Sequence, residues 1–366
     1  MTELPRRALN RATLARQLLL ERADLPVPAA VAHLVGLQAQ TTHTWYVGLW
    51  TRLAGLDPVA VGALLESREL VRLPVMRSTI HLLTAADALA LRPLTQAPIE
   101  RSTMGQFGRR LNGVVREELV AAARALVEER PLIASELGRS LAERFPAADP
   151  TALAQAARAW LPMVQVPPRG VWGRGGRAMQ APLDSWLGRP PTVLAVRDLV
   201  TRYLAAFGPA SVRDVQTWSG LTRLADVLDE LRPTLRSYTG EDGAELFDLP
   251  DAPRPDPDTP TPARFLYDYD NLLLSHADRR RMFGNPGDTD YAAHGFTGDG
   301  NLQPASVLVN GFVAATWTVA RERGHARLTV RCFRKLTRAE RTEVTREGAA
   351  LLAFLHPVDD HDVWIG

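Results

Sequence analysis

One order of elements occurs three times along this chain, and few folds accommodate it: three helical stretches, then two short strands joined by a turn. In the middle, Arg116–Glu129, Ile133–Arg144 and Pro150–Trp160 read as helices, the last with proline in its first turn. Met163–Val166 and Gly170–Trp172 then read as strands about a Pro-Pro-Arg-Gly turn. Upstream, Pro28–Gln38, Tyr46–Leu53 and Asp57–Glu66 are helical, with Asp57 as an N-cap, before strands Leu70–Pro74 and Thr79–Leu83. Downstream, Val193–Phe207, Ser211–Ser219 (capped by its serine) and Thr222–Leu231 precede Leu235–Tyr238 and Glu245–Asp248. This is the order of a winged helix, and the short middle helix is typical of helix-turn-helix units.

After a Pro- and Asp-rich stretch the period changes. Arg264–Tyr267, Ser306–Val309, Phe312–Val319 and Ala326–Phe333 alternate like strands, and Asn310-Gly311 between two of them signals a type I′ hairpin. Thr337–Phe354 closes this region as an amphipathic helix with Arg338, Arg341 and Arg346 outward, and Gly284–Gly300 reads as a long loop. The expected fold is α+β, with winged-helix units at 1–92, 93–190 and 191–250 and a β-rich scaffold at 251–366.

With 366 residues, 46% hydrophobic and 23% charged, the chain can fill several cores and is neither disordered nor fibrous. A single cysteine, Cys332, excludes an internal disulfide and any multi-cysteine zinc site, which fits a reducing cytosol. The N-terminal apolar run is broken by Arg16 and Gln17, too short and charged for a signal peptide or membrane span. A net charge of +2 does not decide for or against nucleic acid, but its distribution is uneven. Acids gather between Glu241 and Asp258, whereas Arg321, Arg323, Arg327, Arg331, Arg334, Lys335 and Arg338 face only Glu322. Lys335 is the only lysine among 43 basic residues, a bias that arginine-rich coding explains as well as phosphate recognition does.

Five ordered motifs now carry a resemblance: QAQ at Gln38-Ala39-Gln40, RSTIH from Arg77 to His81, YLAAFGPASVRDVQTWSGL from Tyr203 to Leu221, YDYDNLLLSHADRRR from Tyr267 to Arg281, and NGFVAATW from Asn310 to Trp317. Together they resemble the AlkZ-type winged-helix DNA glycosylases over nearly the whole chain. The resemblance implies a C-shaped monomer of three tandem winged-helix units on a β scaffold, with a basic inner surface for double-stranded DNA. It implies excision of N7-alkylated purines, including bulky genotoxin adducts and, in some members, interstrand crosslinks. Gln40 in the last position of the motif aligns the chain with the Q-x-Q subgroup associated with antibiotic self-resistance rather than with the Q-x-D repair enzymes.

The chemistry follows from the lesion. Alkylation at N7 already makes the purine a cationic leaving group, so a strong general acid is unnecessary and the remaining work is to place water at the anomeric carbon. Gln38 and Gln40 are the expected water-orienting residues, acting through their amide oxygens, with bulk solvent or a nearby carboxylate taking the proton. Two residues apart on a helix lie roughly 200° apart, so both amides face one site only at a helix end or turn. The plain alternative is that QAQTTHT is a solvated helix exit.

Arg77, Thr79 and His81 are expected on one face of a return strand, supporting the glutamines or holding phosphate, unless this is simply an edge strand facing water. Tyr267, Asp268, Tyr269 and Asp270 either line a pocket for a cationic base or alternate between core and surface, and Asp270 is the preferred carboxylate. Expected DNA contacts are Arg279, Arg280 and Arg281 after one aspartate, Arg169 and Arg174 in the second wing, and Arg321 and Arg323 in a later hairpin. His356, Asp359, Asp360, His361 and Asp362 cluster near the C-terminus but read as a solvated tail, and neither metal nor cofactor is expected. No lysine near the glutamines offers a Schiff base, so strand cleavage is not expected. Competing readings are a non-enzymatic winged-helix regulator and a family member that binds adducts without excising them.

Overall fold

The computed structural model describes residues 2–284, 290–296 and 303–366; most of the expected 284–300 loop lies outside them. Thr2–Leu4 forms a first short strand, β1, and helix Arg6–Arg16 follows. In the first segment, helices Val27–His33, Trp45–Trp50 and Pro58–Glu66 lead to strands β3 (Leu70–Pro74) and β4 (Ile80–Thr84), with β2 (Leu37–Gln38) set against β4. Asp57 caps its helix as expected, accepting from the Val59 amide at 2.8 Å. The helix expected to run to Gln38 stops at His33. Gly36 turns the chain with φ +86°, and a β-carbon there would sit 2.4 Å from Leu83 Cδ2 and 2.9 Å from the Leu82 carbonyl, so the chain leaves the helix and runs along β4.

The second segment has helices Arg116–Glu129, Ala134–Arg144 and Pro150–Trp160, then β5 (Met163–Gln165) paired with β6 (Gln180–Pro182). Gly170–Trp172 is therefore not the return strand. Consecutive prolines at 167 and 168 remove the donors a ladder needs there, and pairing resumes only beyond the glycine-rich stretch. Arg72 opposite Gln165 joins the two hairpins into one sheet, ordered β2-β4-β3-β5-β6.

Helices Val196–Phe207, Val212–Ser219 and Leu224–Leu231 then lead to β7 (Arg236–Gly240) and β8 (Glu245–Asp248). Ser211 and Asp214 form a full capping box, and β1 returns from the N-terminus to lie parallel to β7. The C-terminal sheet contains β9 (Arg264–Leu266), β10 (Ser306–Val309), β11 (Phe312–Glu322), β12 (His325–Cys332) and β13 (Asp360–Ile365), ordered β13-β12-β11-β10-β9. Asn310 and Gly311 both have positive φ, as the hairpin signal requires. The expected solvated tail is instead an edge strand, parallel to β12, and helix Arg338–Leu355 packs on this sheet. No described helix is long and apolar enough to cross a membrane.

The β3–β4 hairpin feeds two cores. Leu70 and Leu82 join Trp45, Tyr46, Phe265 and Leu328, whereas Val71, Leu73 and Leu83 join Tyr203, Phe207 and Trp218 of the third segment. Alternate residues of one hairpin thus bind the first segment to the C-terminal sheet on one side and to the third segment on the other.

Candidate active site

The QAQ segment lies at this junction. Gln38 ends the two-residue strand β2 and Gln40 lies in the bend just beyond it, so neither is on a helix. Gln38 is buried, only 3% exposed, while Gln40 reaches the surface. The Gln38 backbone is gripped from the C-terminal region: its N–H donates to Asn271 Oδ1 at 3.1 Å, and the Tyr267 hydroxyl donates to its carbonyl at 2.9 Å. Gly48 makes that reach possible, because a β-carbon there would lie 2.5 Å from the Tyr267 ring. Asn271 also donates to the Gly36 carbonyl at 2.6 Å, so one amide side chain ties both sides of the bend.

The side chain of Gln38 is fixed as well. Arg77 Nη2 donates to Gln38 Oε1 at 2.7 Å, and Arg77 Nη1 donates to the Trp218 carbonyl at 2.9 Å. That bond sets the amide orientation, with the oxygen toward the cation and the NH₂ away from it. Gln40 is oriented in turn by the Ile80 N–H, which donates to its Oε1 at 3.3 Å. Each carbonyl oxygen keeps a second lone pair, enough to accept one hydrogen bond from a water.

Arg77 is not part of a strand row with Thr79 and His81, as expected from RSTIH. It sits in a short turn with φ +54°, Ser78 follows at +60°, and β4 begins only at Ile80. Left-handed backbone at two successive non-glycine residues is a costly conformation, and here it aims the guanidinium back at Gln38. Burial pushes the Arg77 guanidinium down to about 10, with Arg279 contributing like-charge repulsion, so it remains a cation at neutral pH. His81 pairs with Gln38 across the strands and is buried, with Nδ1–H donating to the Thr79 carbonyl at 2.9 Å. Burial, then the Arg77 charge, drives its pKa down to about 3, which makes His81 a neutral ring rather than a proton donor. The Thr79 hydroxyl donates to the Met76 carbonyl and closes the turn.

Behind the motif lies a second cation. Arg72 Nη2 donates to the Ala39 carbonyl at 2.8 Å, while its Nε and Nη1 find no acceptor among the described residues. Asp270 is fully buried and gripped at two points by Arg52, at 2.6 and 2.9 Å, and it caps the helix at Asn271–Leu274. The preferred carboxylate is therefore committed to an ion pair in the core. Asp268, two residues earlier, accepts a hydrogen bond from the Thr41 hydroxyl beside Gln40.

The arginines expected on DNA are dispersed. Arg281 is buried, donating to the Pro209 carbonyl at 2.9 Å, and so does not line an outer clamp. Arg280 is taken up by Asp278 at 2.6 Å, with Asp242 at 3.5 Å, so one aspartate does hold one cation of that run closely. Arg279 lies near enough to Arg77 to act on its charge. Arg169 folds onto the Gly176 carbonyl, and Arg174 pairs with Glu66, both at the surface near the second wing. Arg321 pairs with Asp359 and Arg327 with Asp362, which removes two acids from the tail cluster, while Arg323 is exposed at the hairpin tip.

The family model for AlkZ-like DNA glycosylases matches residues 31–354. The chain belongs to this DNA glycosylase family. The family span takes in the QAQ segment and every element that holds it, from the first segment through the C-terminal helix. Among solved structures the glycosylase is similar to Streptomyces sahachiroi DNA glycosylase AlkZ, with a TM-score of 0.73 and 20% identity over 100% of both chains. That likeness establishes the same fold. No curated protein sequence matches the chain. Asn271, Trp218, Arg52 and Arg72, which position the site, were not singled out from sequence. Asn271 and Trp218 lie inside the motifs but Arg52 and Arg72 do not, and Asn271, Trp218 and Arg52 meet partners more than 140 residues away, which leaves no local spacing.

Proposed function

We propose that this DNA glycosylase hydrolyses the N-glycosidic bond of purines made cationic by N7 alkylation, bulky guanine adducts and crosslinks of a genotoxic natural product among them. The observation that carries this reading is the pair of neutral amides at the end of β2 and the bend after it, each oxygen held by a separate donor, Arg77 for Gln38 and the Ile80 amide for Gln40. Neutral amides orient water but do not protonate a leaving group, which matches a base whose departure is already driven by its own charge. A neutral His81 supports the same assignment, since it offers no acidic proton to the leaving base. The enzyme works as a monofunctional monomer in the cytosol, in base excision repair or self-resistance. Arg279 acts on the charge of Arg77 and Arg169 on that of Arg72, while Arg174, Arg280, Arg321 and Arg323 meet phosphates farther out.

Single-turnover incubation with duplexes carrying N7-methylguanine or a bulky N7-guanine adduct, with mass detection of released base, tests the reading. Release by the wild type and its loss in Gln38→Ala and Gln40→Ala is expected. Absence of release from both lesions overturns it, and intact adduct bound tightly would identify a binder instead.

A further inference from the structure

Asp268 and Asp270 stand two residues apart, but their surroundings differ. Asp270 is neutralised by Arg52, whereas Asp268 has only the Thr41 hydroxyl on its Oδ2, and its Oδ1 is shut from water with no hydrogen-bond partner among the described residues. A carboxylate oxygen without a donor keeps its lone pairs as acceptors, and a turn of the half-buried side chain presents them to a water. Its placement ties this carboxylate to the motif. The Tyr267 hydroxyl bonds the Gln38 carbonyl and the Asp268 carboxylate bonds the residue after Gln40, so consecutive residues of one strand exit hold the motif at both its ends.

We propose that Asp268 is the catalytic carboxylate of this site and accepts the proton of the attacking water. This rests on the glycosidase reading above. The water oxygen bonds to C1′ and the C1′–N9 bond breaks. Its electron pair passes to the N7-alkylated purine, which leaves neutral. The water proton passes to the Asp268 carboxylate and then to solvent, leaving an abasic sugar. Gln38 and Gln40 orient the water, and Thr41, by holding Oδ2, keeps the carboxylate beside Gln40.

The test is single-turnover release of N7-methylguanine by the full chain. Asp268→Asn keeps the shape and the Thr41 contact but cannot take a proton, so release should slow by at least about tenfold while affinity for undamaged duplex stays the same. In Asp268→Ala, added formate should restore release by entering the vacated space as a mobile base. Wild-type rates in Asp268→Asn, or no response of Asp268→Ala to formate, overturn the assignment. Failure of the wild type itself to release base instead overturns the glycosidase reading, so the two are separable.

Discussion

The QAQ segment and the loop from Pro167 to Met179 are both polar interruptions between hydrophobic elements, yet they have opposite fates. QAQ is inserted between two cores and held by Asn271, Tyr267, Arg77 and Ile80. The second loop carries more charge but leaves it at the surface, where Arg174 meets Glu66 and Arg177 meets Glu136. Density of charge is therefore a poor guide to where this fold fixes its polar groups. What marks the QAQ segment is polar side chains whose partners come from far along the chain, because such groups have given up water for one fixed geometry.

That contrast can be broken at its strongest point first. Arg52→Met leaves Asp270 buried without its cation and should cost about 3–5 kcal/mol, read as a large fall in the denaturant midpoint. Next, Gln38→Ala should slow base release on the order of a hundredfold and lower the melt by a smaller amount than Arg52→Met, since it removes an orienting group and leaves Arg77 Nη2 without its acceptor. Arg77→Met keeps the bulk but frees the Gln38 amide to rotate, so release should fall roughly tenfold at unchanged DNA affinity. If Arg77→Met instead weakens binding and leaves the release step intact, Arg77 is a phosphate contact.

Acid offers a milder probe of the same region. His81 is held neutral in the fold, at about 3 against an ordinary 6.5, and burial together with Arg281 depresses His276 as well. The unfolded chain binds those protons first, so the stability these rings contribute is complete above about pH 6.5 and is lost progressively as the pH falls toward 3. The melting temperature should drop between pH 7 and 5, and His81→Gln should flatten that slope. Smallest of all, Arg174→Ala should change duplex affinity by no more than a few-fold and the salt slope by about one or less.

Much of the fold was legible because it is local. Asp57, Ser211 and Thr337 cap the helices they head, and Asn310-Gly311 turns the hairpin it signals. Arg338, Arg341 and Arg346 face outward on the last helix as its period requires. Two boundaries were not legible. The helix before QAQ stops at His33 because Gly36 packs against Leu82 and Leu83, a tertiary contact that overrides local preference, and the partner of β5 is β6 because the prolines at 167 and 168 break the ladder and Leu132 bridges to Gln180 beyond them. The glutamines themselves stood out only through their motif, and the difference between Asp268 and Asp270 could not be read at all. It is made by Arg52, more than 200 residues away.

The helix Arg6–Arg16 has a consequence for how the molecule is made. Its inward face is largely polar, with Asn10, Arg11, Thr13 and Arg16 buried. Asn10 waits for the Gly311 carbonyl at 2.8 Å, and Arg16 waits for Asp248 at 2.6 Å. At ribosomal speeds of about 5–20 residues per second, roughly 15–60 s separate Asn10 from its partner, during which that side chain lacks its native acceptor. A helix with a wholly apolar face would spend that interval as an adhesive surface. This one stays hydrated until Asp248, and later Gly311, emerge to take its polar side chains.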